Sequence, residues 1–160
     1  MSEAMRYTNV FIVCMVLAVL TVVIHMAGLY KLRHWIHRLL QTQSFQHHVM
    51  RETLVVSALV VGLCIIHLTE VLAWAGGYMA MAAFGDFADA FYYSLTTYTT
   101  VGADGLNIGR NFRIVAGFES LLGPMMLAWS TAFLVEYVSQ VLTSNNRRFQ
   151  DVRQTPDQHQ

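Results

Sequence analysis

Apolar residues run along this chain in three long blocks, and polar residues are gathered in the gaps between them. Among acidic, basic and histidine side chains, Thr8 to Tyr30 holds only His25, and Thr53 to Ala75 holds only His67 and Glu70. Phe112 to Gln140 is longer and carries Arg113, Glu119 and Glu136. A helix needs about 20 apolar residues to cross a bilayer, and each block meets that length. A core helix of a soluble protein shows one apolar stripe. The first two blocks are apolar all round, so the pattern predicts three membrane-spanning helices.

The gaps predict the connections. In Lys31 to Leu40, the residues Leu32, Trp35, Ile36, Leu39 and Leu40 recur at helical spacing, with Lys31, Arg33, His34, His37 and Arg38 on the other face. This is an amphipathic helix at the membrane surface or a basic continuation of the first span. Gln41 to His48 is polar and predicts a turn. The second span ends at Trp74-Ala-Gly-Gly-Tyr78, where an interfacial aromatic belt is expected. After Gly85-Asp86 comes Phe87 to Tyr98, about 12 residues, with Asp86 placed as its helix cap. At 1.5 Å per residue this helix is about 18 Å long and reaches only partway into a bilayer. The chain must then return through Thr99-Thr-Val-Gly-Ala-Asp-Gly105. Irregular backbone at membrane depth is tolerated only where protein buries it or it lines water. A short helix with a glycine-containing return between two full spans therefore predicts a re-entrant loop. Gly123-Pro124 predicts a kink in the third span, and the polar stretch 143–160 predicts a short, partly disordered tail.

Composition supports this and removes other classes. Of 160 residues, 55% are hydrophobic and 12% charged, half the charge density of an ordinary soluble surface. The formal net charge is zero, so no nucleic-acid partner is expected. Cys14 and Cys64 lie inside apolar runs, as buried small side chains rather than a disulfide. No nucleophile–base set or cofactor fingerprint is present, so no enzyme activity is expected. Basic residues set the orientation. Lys31, Arg33, Arg38, Arg51, Arg147, Arg148 and Arg153 stand against Arg6, Arg110 and Arg113. The 31–52 connection and the C-terminal tail are thus expected in the cytoplasm, with the N-terminus and 76–111 outside.

Span, short helix, Thr99-Thr-Val-Gly102, gap and span resembles the pore module of the tetrameric potassium-channel superfamily, whose filter is built on Thr-Val-Gly-Tyr-Gly. His67-Leu-Thr-Glu70 with Trp74-Ala75, then Phe91-Tyr-Tyr-Ser94, then Phe118 to Gly123 are similar to bacterial ion-channel proteins with three spans per chain. The resemblance covers roughly 60–140. It implies an all-α integral membrane protein: three transmembrane helices, a re-entrant pore helix and filter loop, and a homotetrameric pore in a bacterial inner membrane. Residues 1–52 form the first span and basic connection, 53–142 the pore module, and 143–160 the tail.

The same resemblance implies a filter over Thr100, Val101, Gly102, Ala103, Asp104 and Gly105. Potassium or another monovalent cation is held on the carbonyls of Thr100, Val101 and Gly102. Backbone carbonyls replace the ion's water, and glycine supplies the positive φ that turning them to one side needs. Tyr93, Thr97, Tyr98, Thr99, Glu70 and Glu119 are expected to support the filter from behind. Gly123 and Pro124 are a gating hinge or a static kink, and Glu136 lies at the cytoplasmic mouth or in a solvated interface. The chain departs from the family at Ala103-Asp104. Asp104 falls where the second filter glycine belongs, and either takes a left-handed conformation or follows an inserted Ala103. Four Asp104 carboxylates would attract cations, divalent ones among them. The expected function is passive cation conduction with altered potassium selectivity, with membrane lipids as the other partner.

Two further readings stay open. One is a non-conducting scaffold that keeps the channel fold. The other is a metal- or proton-handling membrane protein using His67 and Glu70. Against it, Glu70 accepts hydrogen bonds from hydroxyls of the short helix or from an indole, and His67 helps satisfy it.

Overall fold

The computed structural model describes residues 3–42 and 48–154. Helix α1 spans Glu3–Thr42, α2 His48–Ala80, α3 Phe87–Tyr98 and α4 Arg113–Gln154, with a single 3₁₀ turn at Arg110–Phe112 before α4. Among the described residues there is no strand. Three stretches are long and apolar enough to cross a membrane: Thr8–Arg38, Glu52–Ala80 and Arg110–Ser139.

Each span buries one narrow stripe. On α1 it is Cys14, Leu17, Thr21, His25, Leu29, Leu32 and Ile36, at steps of three or four residues. The rest of α1 is also apolar: Phe11, Val16, Val19, Val23 and Met26 are exposed. Water would penalise that outer surface, whereas hydrocarbon accepts it at no cost. The apolar-all-round pattern thus carries two jobs, one stripe for protein and the remainder for lipid.

The packing forms three layers. In the first, Cys14 and Leu17 of α1 meet Trp74, Ala75 and Tyr78 of α2, Ala90 and Tyr93 of α3, Ile108 and Val115. The third joins Leu29, Leu32 and Ile36 of α1 to Val55, Leu59, Leu63 and Ile66 of α2, with Phe133, Leu134 and Tyr137 of α4 beside them. Early α1 therefore sits by late α2, and late α1 by early α2, so the two run antiparallel. By the same reasoning α4 is antiparallel to α2. The middle layer is Val71, Tyr98 and Met126. Helix α3 contributes to the first and middle layers and not to the third, so it stops halfway along the bundle, as its length requires.

Several sequence expectations change in detail. The basic segment after the first span continues α1 without a break. Leu32 and Ile36 are buried in its seam, but Trp35 is exposed. Trp74 and Tyr78 are not an interfacial belt: both are fully buried, with the Trp74 indole donating to Thr21 Oγ1 at 2.9 Å. Cys14 is buried as expected, Cys64 is exposed, and both are free thiols. Residues 143–154, expected to be partly disordered, continue α4; 155–160 lie outside the described residues, as do 43–47 of the expected turn, while His48 opens α2. Helix α4 runs on through Pro124.

Candidate functional site: the α3 terminus and its two buried carboxylates

Helix α3 begins as its sequence dictates. Asp86 is extended (φ −129°, ψ 145°) and its carboxylate accepts from the Ala88 N–H at 2.9 Å. It ends in a Schellman turn. The Thr100 N–H donates to the Thr97 carbonyl at 3.0 Å, and the Val101 N–H to the Thr96 carbonyl at 2.9 Å. The Gly102 N–H donates to the same Thr96 oxygen at 3.1 Å. The left-handed position of this turn, usually glycine, is Thr100, with φ +61°. A β-branched residue there costs on the order of 1–2 kcal/mol.

Backbone handedness alternates at first and then slips. Thr100 (φ +61°) and Gly102 (φ +84°) are left-handed and Val101 between them is not. Neither Ala103 nor Asp104 is left-handed; Gly105 is, at φ +74°. Asp104 thus does not substitute for a filter glycine in conformation. The positive φ comes one residue later, at Gly105. Thr99, Thr100, Val101, Gly102, Asp104 and Gly105 are exposed, Val101 at 78%.

Two fully buried carboxylates stand behind α3. Glu119 of α4 accepts from Tyr78 Oη at 2.6 Å and from Ser94 Oγ at 2.5 Å. The Ser94 hydroxyl is also 2.9 Å from the Val71 carbonyl, so one residue of α3 touches both α2 and α4. Around it Tyr93 packs edge-on to Tyr78 (5.5 Å between centroids) and against Phe84 (5.1 Å).

Glu70 of α2 lies one layer deeper. Its Oε1 is 2.8 Å from His25 Nδ1 of α1. Its Oε2 accepts a very short hydrogen bond from the Tyr98 hydroxyl and is 3.3 Å from His67 Nδ1. His67 Nδ1 is also 2.9 Å from Tyr98 Oη. Trp129 of α4 packs on the His25 ring at 5.6 Å between centroids. Tyr98 is the last residue of α3, so this cluster ties the end of the short helix to α1 and α2.

Most residues marked in the sequence therefore meet at one place. Tyr93, Thr97 and Tyr98 are buried on α3, and Glu70 and Glu119 back them. Gly123 faces the same point: a Cβ there would overlap the Tyr98 backbone carbonyl. That is a packing reason for glycine, separate from any hinge. Glu136 stands apart, exposed on the far half of α4. His25, Tyr78, Ser94 and Thr21 join these residues as partners that spacing along the chain does not predict. His25 carried the clearest signal, as an ionisable side chain alone in an apolar span. Its partner is 45 residues away, which no spacing rule reaches.

No curated protein and no solved structure shows significant similarity to the chain. The sequence model of a family described as ion channel matches residues 54–140, which takes in α2 from Leu54 onward, α3, the return loop and α4 as far as Gln140. That match covers more than half of the chain: this integral membrane protein belongs to the ion channel family.

Proposed function

We propose that four copies of this chain assemble around one axis as a cation channel, with α3 as pore helix and Thr99–Gly105 as filter. The observation that carries this reading is the return loop itself. A half-depth helix ends at mid-bundle, and the next residues alternate left- and right-handed backbone at Thr100, Val101 and Gly102. That alternation turns successive carbonyls to one side, the arrangement a dehydrating cation needs. The partial negative charge at the C-terminus of α3 favours a cation just beyond it. The exposure of Val101 fits a loop whose neighbours are other copies.

The inner sites are the carbonyls of Thr100, Val101 and Gly102, with the Thr100 hydroxyl below them. The slip at Ala103-Asp104 shortens the ladder, because two successive residues without positive φ break the carbonyl alignment. Ala103 then acts as the inserted residue. Asp104 rings the outer entrance and gathers cations instead of coordinating them in file. Selectivity for potassium is accordingly weakened. The basic 31–52 connection and C-terminal tail favour a cytoplasmic C-terminus.

The test is cation flux in liposomes under parallel potassium, sodium and calcium gradients. Passage of several cations, reduced in Asp104→Asn, is the expected result. Passage of potassium alone would overturn the shortened filter. No flux of any ion through folded, tetrameric protein would overturn the channel reading in favour of a scaffold; the Ala103-Asp104 slip is the observation on that side.

A further inference from the structure

We propose that His25, His67 and Glu70, completed by the Tyr98 hydroxyl, form an intramembrane binding site for a transition-metal dication of the zinc class. Three helices supply the ligands: His25 from α1, His67 and Glu70 from α2, and Tyr98 from α3. One ligand atom from each of His25, His67 and Glu70 can be chosen so that all lie within 4.8 Å of one another. The contacts that build the cluster are 2.8 Å (His25 Nδ1 to Glu70 Oε1), 3.3 Å (His67 Nδ1 to Glu70 Oε2) and 2.9 Å (His67 Nδ1 to Tyr98 Oη). With metal–ligand bonds of about 2.0–2.1 Å, atoms on one edge of a tetrahedron are about 3.3 Å apart. These three spacings are thus within about half an ångström of coordination spacings.

The ring nitrogens leave room for that exchange. Nε2 of both His25 and His67 is buried and has no hydrogen-bond partner among the described residues. A proton on Nδ1 can therefore move to Nε2 and leave Nδ1 as a lone pair without breaking another contact. Charge argues the same way. Glu70 is fully buried at mid-bundle, and its ion-pair partners among the described residues are the two imidazoles. A dication would be balanced by its carboxylate together with a Tyr98 phenolate, whose proton is released on binding. The donor set selects the metal: two imidazoles with carboxylate and phenol oxygens suit zinc, nickel or copper, whereas calcium and magnesium require six or more oxygen positions. The site is distinct from the carbonyl filter and does not depend on the pore conducting.

Such a site would act on α3, because Tyr98 directly precedes Thr99 and the return loop. Binding competes with the Tyr98–Glu70 hydrogen bond and so shifts the end of the short helix.

The experiment is Zn²⁺ titration of the folded protein in lipid nanodiscs after chelator treatment, with Co²⁺ as an optical probe. One Zn²⁺ per chain, with an intense tetrahedral Co²⁺ spectrum, is expected. His25→Gln and His67→Gln should each weaken binding by more than about 100-fold, since losing an outer-shell partner alone costs 10- to 100-fold. Tyr98→Phe removes one oxygen and keeps three ligands, so it should weaken binding about 10-fold and remains informative if a histidine variant fails to fold. The paired variant His34→Gln/His37→Gln, on the basic end of α1, should bind as the unaltered protein does. No Zn²⁺ binding by the folded protein overturns the proposal, as does binding that survives Tyr98→Phe and either histidine change, or binding lost with His34 and His37. Each readout is binding, so it is separable from a failure of ion flux.

Discussion

Glu119 and Glu70 make a natural pair. Both are fully buried in a membrane span, both back α3, and both accept from a tyrosine hydroxyl. Around Glu119 the second donor is Ser94, whose hydroxyl can hand its proton to the Val71 carbonyl instead. Around Glu70 the other partners are two imidazoles, each with an unengaged nitrogen. The first arrangement uses its polar atoms fully and works as a clip that fixes α3 between α2 and α4. The second holds more donor capacity than its internal bonds consume. Two carboxylates of similar burial thus differ in what they can do, and the difference lies in the chemistry of their partners.

The largest expected effect comes from cutting the clip. Glu119→Ala strands the Tyr78 hydroxyl, leaves Ser94 only its bond to the Val71 carbonyl, and opens a cavity where the carboxyl group stood. A loss of about 3–5 kcal/mol is expected in reversible unfolding in mixed detergent micelles. Glu119→Gln should cost only about 1 kcal/mol, because its amide can donate to Ser94 while Ser94 donates to Val71. An equal loss for both would break the clip reading and make the charge itself the essential feature.

Gly123→Ala is next. Its methyl meets the Tyr98 carbonyl, and overpacking of this kind costs about 1–3 kcal/mol. Thermal melts of Gly123→Ala and Pro124→Ala, beside flux, separate packing from hinge. The contact predicts that Gly123→Ala lowers the melting temperature and Pro124→Ala changes it less. Intact stability with altered gating in both would favour the hinge.

Tyr78→Phe and Tyr98→Phe sharpen the comparison directly, since each removes one hydroxyl from one carboxylate. Both should lose about 1–3 kcal/mol on unfolding, but only Tyr98→Phe should change Zn²⁺ affinity. The smallest effect belongs to the turn that leads into α3. Ala82 is held at φ +53°, so Ala82→Gly should gain up to about 1 kcal/mol if relief of strain outweighs the added freedom of the unfolded chain. A loss in the same unfolding assay would show that the Ala82 side chain contributes more than its backbone costs.

What the sequence determined by itself is the part governed by local rules and by the bilayer. Three apolar blocks long enough to span had to become helices, because the backbone finds no other partners in hydrocarbon. Asp86 had to cap α3, and 12 residues could reach only halfway. Thr-Val-Gly marks the return loop, and Glu70 and Glu119 stand out as ionisable groups in apolar surroundings. The tertiary structure decided everything that depends on distance between helices. It brought His25 to Glu70 across 45 positions, drew Trp74 and Tyr78 inside, gave Gly123 its reason through Tyr98, and moved the positive φ from Asp104 to Gly105. The reason is physical. Capping and span length depend on neighbours in the chain, whereas a polar side chain in an apolar span finds its partner wherever helix packing places one.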